Sequence, residues 1–211
     1  MRILLGTKNA GKIRELKELL SDLPGVSLLT FHDRPFSDVP ETGTTFEENA
    51  RLKARTICAE TGLPVLAEDS GLEVDALDGA PGVYSARYSG EPVDYARNNA
   101  LLLKNLTGVT DRRARFVDVA VLRFPDGREY VCNGILSGRI ATAPRGKGGF
   151  GYDPLFIPDG YDQTLAELGE DVKNRISHRA RAIGAMREVI RTLLAEGGSA
   201  AARGGGGAGP N

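Results

Sequence analysis

The feature that most constrains this chain is the junction at residues 3–13. Ile3-Leu4-Leu5 is a short apolar run ending at Gly6, and Gly6-Thr7-Lys8-Asn9-Ala10-Gly11-Lys12-Ile13 leads straight into a segment whose apolar residues, Ile13, Leu16, Leu19 and Leu20, recur at helical spacing. Such a run reads as a buried strand, and the periodic segment as an amphipathic helix from about Ala10 to Ser21. The turn between them also matches the G-x4-G-K pattern of phosphate-binding loops. A helix start offers unpaired amides and the positive end of the dipole, and Lys8 and Lys12 add charge. Ile13 stands where a Walker loop needs Ser or Thr for Mg²⁺, so that class of ATPase is disfavoured and any metal must be held elsewhere. A capped helix with two surface lysines explains the same residues.

The rest of the chain extends the alternation. Val26 to Thr30 reads as a strand, 31–45 as a loop, and Phe46 to Thr61 as a second helix. Val65 to Ala67 is a strand that delivers Glu68, Asp69 and Ser70 at its carboxyl end, and Leu72 to Leu77 reads as a half-exposed strand. Val93 to Leu106 is helical. Ala114 to Phe124 and Glu129 to Ile140 form a hairpin around Pro125-Asp126-Gly127. Pro144 to Gly151 is a glycine-rich loop, and Val172 to Ala195 a last helix. A β-α-β start followed by a long hairpin predicts an α/β fold with a mixed sheet. Residues 1–196 are expected to be one domain, and the Gly/Ala-rich stretch 197–211 a disordered tail.

Composition narrows the function. The formal net charge of −1 over 211 residues gives no global field for nucleic acid or acidic membrane, so any anion must meet a local cluster of cations. No apolar stretch reaches the length of a membrane span, and the apolar run at Ile3–Leu5 reads as too short for a signal peptide. Cys58 and Cys132 have no metal-site or disulfide spacing and read as buried thiols of a cytoplasmic protein.

Three further segments carry candidate chemistry. Glu68 and Asp69, with Glu41 in the preceding loop, are hard oxygen donors of the kind Mg²⁺ prefers, although acids capping turns would look the same. In Gly146-Lys147-Gly148-Gly149-Phe150-Gly151-Tyr152-Asp153-Pro154, the glycines allow close backbone approach, Phe150 and Tyr152 offer aromatic faces, and Asp153 an acceptor; a flexible loop with a buried aromatic is the alternative. Lys173 to Arg179 places cations at the expected start of the last helix, where they oppose the dipole unless something anionic compensates.

Taken in order, these segments resemble the inosine triphosphate pyrophosphatase family, the XTP/dITP diphosphatases. The resemblance rests on Thr7-Lys8-Asn9-Ala10-Gly11-Lys12, Phe46-Glu47-Glu48-Asn49-Ala50, Asp69-Ser70-Gly71-Leu72, the run Gly79 to Tyr88, Gly149 to Pro154 and Ser177-His178-Arg179. It implies an elongated mixed α/β fold with two lobes around a central cleft, a homodimer, and Mg²⁺-dependent attack of water on the α-phosphorus of an aberrant purine nucleoside triphosphate (ITP, dITP or XTP), yielding monophosphate and pyrophosphate. By the same resemblance, Thr7, Lys8, Asn9, Ala10, Gly11, Lys12 and Lys53 hold the triphosphate. Asp69 is the catalytic carboxylate and a metal ligand with Glu41, assisted by Glu68. Ser70 contacts substrate, and Phe150, Gly151, Tyr152, Asp153, Lys173, His178 and Arg179 form the base site. A pyrophosphatase of modified pyrimidine nucleotides, a non-catalytic nucleotide sensor and an RNA-binding protein are the competing readings; neither nucleic acid nor membrane is an expected partner.

Overall fold

The structure, a computed structural model, describes residues 1–204, with side chains through residue 197. β1 (Arg2–Leu5) runs parallel to both β2 (Ser27–Leu29) and β3 (Val65–Val74). From β3 the sheet turns antiparallel through β4 (Arg113–Arg123), β5 (Glu129–Ile140) and β6 (Phe156–Pro158), giving the order β2-β1-β3-β4-β5-β6. The β1 pairing to β3 ends at Leu5↔Leu66, whereas β4 accompanies β3 from Val65 to Val74. Beyond Leu66, β3 therefore leaves its parallel neighbour, and the chain leaving β1 opens a crevice beside it.

Helices cover both faces of the parallel end. α1 (Ala10–Leu20) and α6 (His178–Gly204) bury Leu16, Leu20, Ile183 and Met186 against Ile3, Leu66 and Leu122. α2 (Phe46–Thr61) lays Ala50, Ala54 and Ile57 on Leu4, Val65, Ala67 and Val121 on the opposite face. α2 is well fixed at its start, where Thr45 and Glu48 form a reciprocal capping box. The far halves of β3, β4 and β5 form a second lobe with α3 (Tyr95–Asn105) and the short α4 (Leu165–Leu168), centred on Leu72, Leu102, Phe116 and Phe156. This is the mixed α/β fold expected.

Four local expectations differ. The carboxylates do not end a short strand, because β3 continues through them in register with β4. The alternating segment expected as a half-exposed strand over Leu72–Leu77 is the buried end of β3 followed by one 3₁₀ turn, Asp75–Leu77. Neither β6 nor α4 was expected. The last helix is two: α5 (Glu170–Ile176) and α6 meet at Ser177, which is extended at φ −64°, ψ 159° and accepts a hydrogen bond on its hydroxyl from the amide of Ala180. A serine cap thus restarts the helix inside an unbroken helical pattern. As a result Lys173 and Arg175 lie in the last turn of α5, where the dipole favours cations, and only His178 and Arg179 begin a helix. α6 runs on to Gly204, past the end expected near Ala195; the remainder of the expected tail, 205–211, lies outside the described residues.

Candidate active site

A cleft of about 290 Å³ opens where β3 parts from β1, and the segments singled out in the sequence converge on it: Thr7, Lys8, Asn9, Lys12, Glu41, Lys53, Asp69, Ser70, Phe150 to Asp153, Lys173, His178 and Arg179 line it, whereas Ala10 and Gly11, expected to hold the triphosphate, do not. At one end, Asn9 caps α1 by accepting from the amide of Lys12 (3.1 Å), satisfying one of the four amides a helix start leaves without a partner. Its amide nitrogen donates to the Tyr95 hydroxyl at 3.1 Å, tying the phosphate loop to the second lobe. Gly11 is held small by Phe150, whose ring edge would lie 2.8 Å from a Cβ there. Lys8 reaches Asp38 (2.7 Å) on the loop that forms the rim.

The side chains of β3 alternate, so Glu68 and Asp69 face opposite sides of the sheet. Asp69 points toward α2, where Asn49 donates to its Oδ2 at 3.1 Å and Lys53 Nζ stands 3.3 Å from Oδ1. The same Nζ is 2.6 Å from Glu41 Oε1, and Arg87 donates to Glu41 Oε2 at 3.0 Å. Burial pushes the Asp69 carboxyl above its ordinary range, and Lys53 and Lys12 only partly oppose this. For Glu41 burial acts the same way, but Lys53 and Arg87 outweigh it and hold the group below its usual value. Burial works against the charge on Lys53, yet Asp69 and Glu41 keep its pKa raised. Two carboxylates focused on one cation are a donor set that suits Mg²⁺, which is usually held by one or two protein carboxylates with water and substrate phosphates completing its shell. Among the described residues no group of three or more His, Cys, Asp or Glu is arranged for a metal, so any such ion would rely on this pair and the substrate.

Glu68, expected to assist the metal, is engaged on the other face. Arg179 Nε bonds its two oxygens at 2.8 and 3.0 Å, and Lys12 Nζ lies at 3.3 Å. Burial would raise Glu68, but Arg179 and Lys12 bring its pKa below normal. Arg179, expected to donate to the base, is 2% exposed and also bonds Glu15 through Nη1 (2.5 Å) and Ser70 Oγ through Nη2 (3.1 Å). Glu15 in turn meets Lys173 Nζ at 2.6 Å, and the same Nζ meets Asp153 Oδ2 at 2.6 Å. Asp153, Lys173, Glu15, Arg179, Glu68 and Lys12 thus form one chain of ion pairs from the aromatic loop to the phosphate loop.

The aromatic loop divides its roles. Phe150 lies under Lys173, with Nζ 4.6 Å from the ring centroid. Tyr152, expected to offer a face, is 5% exposed and donates its hydroxyl to the Ser85 carbonyl at 2.8 Å, so it belongs to the second lobe's core. Gly149, at φ +72°, makes the turn that lets Asp153 accept from the amide of Phe150; a Cβ there would strike the Asp153 carboxylate.

The family model for the Ham1 family matches residues 3–189. The chain belongs to the Ham1 family. A dITP/XTP pyrophosphatase of Nocardia farcinica is 52% identical over 199 residues, covering 92% of this chain and 95% of that protein. One of Thermus thermophilus is 51% identical, covering 90% and 92%. A solved HAM1 protein of Coxiella burnetii superposes with a TM-score of 0.84 at 40% identity, over 91% of this chain and 99% of that one. The Staphylococcus aureus Ham1 protein gives 0.82 at 41%, over 92% and 100%.

Within this Ham1 fold, residues missed from sequence complete the site: Asn49, Arg87 and Glu15. Asn49 and Lys53 are four apart on α2, as are neighbours on one helix face, and Glu15 follows Lys12 by three on α1. That spacing was the available signal. Arg87 lies in the Gly79–Tyr88 run of the resemblance, but nothing local marks its partner, since it reaches Glu41 across 46 residues.

Proposed function

We propose that this chain is a Mg²⁺-dependent nucleoside triphosphate pyrophosphohydrolase acting on aberrant purine nucleotides, ITP, dITP and XTP, in nucleotide-pool house-cleaning. The observation that carries this reading is the convergence of Glu41 and Asp69 on Lys53 in a cleft whose adjoining wall is the Lys8–Lys12 helix start. The names of the Nocardia and Thermus relatives support the substrate class.

Lys8, Lys12, Lys53 and the start of α1 bind the triphosphate, exchanging their present carboxylate partners for phosphate oxygens. Asp69, whose burial makes it a stronger base than an ordinary aspartate, orients a water and takes its proton. The water oxygen bonds to the α-phosphorus as the bond to the bridging oxygen of the leaving pyrophosphate breaks. Glu41 and Asp69 would hold Mg²⁺, which when bound would supply charge compensation for the phosphoryl groups. Phe150 stacks on the base, and His178, with the cluster around Arg179, faces its edge. A homodimer and a cytoplasmic location belong to the same reading; no helix among the described residues is long and apolar enough to cross a membrane.

Pyrophosphate release from ITP, XTP, dITP, ATP and GTP, with Mg²⁺ and with chelator, tests the proposal. The 6-oxo bases without a 2-amino group should exceed ATP by about 10²-fold in kcat/KM, since adenine mismatches both an amino donor and a bare N1 acceptor at about 1–3 kcal/mol each, and should exceed GTP, with its one unpartnered 2-amino group, by about tenfold. Release of inorganic phosphate alone, or equal use of all five nucleotides, would reject it.

A further inference from the structure

Asp118, near the middle of β4, has no part in the site described so far. It is fully buried, and neither carboxylate oxygen has a hydrogen-bond partner. In register it stands opposite Ser70 of β3 and Gly134 of β5, on the sheet face that carries Glu68 and receives α6. A Cβ at Gly134 would collide with the carbonyl oxygen of His178, so the first turn of α6 rests directly on this point. Two residues along β4 on the same face, Phe116 stacks on the His178 ring, with centroids 4.6 Å apart and planes 11° from parallel. The cross-strand neighbour of Asp118 and its neighbour on the same face thus both meet His178. Among the described residues, His178 Nδ1 is another buried side-chain atom without a partner, while the residue itself lines the cleft.

The charges around Asp118 favour a neutral acid. Lys12, Lys173 and Arg179 are matched by Glu15, Glu68 and Asp153, so an ionised Asp118 would be a fourth anion against three cations. Burial pushes its pKa well above the ordinary range and Glu68 adds to this, against Arg179 and Lys12. Burial, with Arg179, Lys173 and Lys12, pushes His178 well below its ordinary value, so the ring is neutral and has one N–H and one bare nitrogen. Which nitrogen carries the proton is set by the hydrogen bond the other one makes.

We propose that Asp118 is a positioning residue for base selection: its carboxyl O–H supplies the hydrogen bond that His178 Nδ1 accepts, which leaves Nε2 as the N–H presented to the cleft. A side-chain rotation or one bridging water closes the gap between the two groups. An Nε2–H donor meets the acceptor oxygen of a 6-oxopurine and opposes the amino group of adenine. This rests on the oxopurine reading above, and the tests separate the two.

Ring ¹⁵N–¹H correlation spectra of the wild-type enzyme should show His178 neutral with its proton on Nε2. Asp118→Asn, whose amide still donates, should keep that tautomer and an ITP/ATP ratio of kcat/KM near wild type. Asp118→Val should lose the single tautomer and lower the ratio about tenfold, the equivalent of about 1.4 kcal/mol, with a melting temperature no lower than wild type. A proton on Nδ1 in the wild type overturns the proposal, as does a folded Asp118→Val with unchanged tautomer and ratio. A wild-type enzyme without preference for ITP would instead reject the oxopurine reading, and the spectrum alone would still decide the tautomer.

Discussion

Asp69 combines two properties that a single carboxylate rarely has. Burial raises its pKa above that of its type, and it shares Lys53 with Glu41 in the pair proposed to hold Mg²⁺. Asp69→Asn keeps the hydrogen bond available from Asn49 but removes both charge and basicity. The expected loss in kcat is at least ~100-fold, the low end for general base catalysis, with the melting temperature nearly retained. Turnover close to wild type in a folded variant would dismiss the assignment. The sign of the pH effect follows from the raised pKa. In the proposed mechanism the active form is deprotonated, so at limiting Mg²⁺, where the free enzyme's carboxyl carries no metal, kcat/KM should fall as pH drops through a value above the ordinary aspartate range of about 4. Arg179 is a poorer probe of the base site. It is the shared partner of Glu15 and Glu68, so its removal would leave Glu15, Glu68 and Asp153 to share Lys12 and Lys173, three buried carboxylates on two cations, and confound specificity with stability.

At the scale of elements, the site depends on how tightly α6 is set on the sheet. Gly134 is the contact that permits it: a Cβ would meet the His178 carbonyl and, at 2.5 Å, the amide nitrogen of Ala182. Both are helix backbone and cannot yield as a flexible side chain would. Gly134→Ala should therefore lift the start of α6, costing about 1–3 kcal/mol as overpacking does and lowering activity together with stability in denaturant titrations. Wild-type stability in that variant would mean that α6 sits more loosely than its contacts imply. The elements themselves were largely legible, because α1, α2 and the β4–β5 hairpin carry strong periodic patterns. The break at Ser177 was not, since the apolar period runs through it and only a cap bond to Ala180 reveals a second helix start. The length of β3 was hidden for a different reason. Charged residues inside a buried strand look like its end until the helices that satisfy them are known, and the partners of Glu68 lie 56 residues before it, at Lys12, and 111 after it, at Arg179. The site residues were legible as segments, while their division between the two sheet faces, and the roles of Glu15, Asn49 and Arg87, required the tertiary structure.

In the whole molecule, the free enzyme holds the lysines proposed to bind phosphate in ion pairs: Lys8 with Asp38, Lys12 with Glu68, and Lys53 with Glu41 and Asp69. Anion and cation sites are therefore coupled before any ligand arrives. A nucleotide alone that draws Lys53 to its phosphates leaves Glu41 and Asp69 facing each other without a counterion. Mg²⁺ alone must displace or share space with the Lys53 ammonium. Each ligand removes the obstacle to the other, so their binding free energies should be cooperative, and reciprocally so. The expected outcome is measurable by thermal unfolding with a non-hydrolysable ITP analogue. At ~100 times its dissociation constant a ligand adds about 2.7 kcal/mol to stability, which for a domain of this size is a rise of about 5–11 °C at about 2–4 °C per kcal/mol. The analogue with Mg²⁺ should approach that range, while each alone gives a smaller shift and the two single shifts sum to less than the joint one. The Lys53→Met variant sharpens the test, because it removes the competitor for the carboxylate pair: Mg²⁺ alone should then stabilise more than in wild type, and the analogue alone less. Additive shifts in the wild type, or no gain for Mg²⁺ in Lys53→Met, would mean that the metal is held away from Glu41 and Asp69, and the catalytic arrangement built on that pair would have to be abandoned.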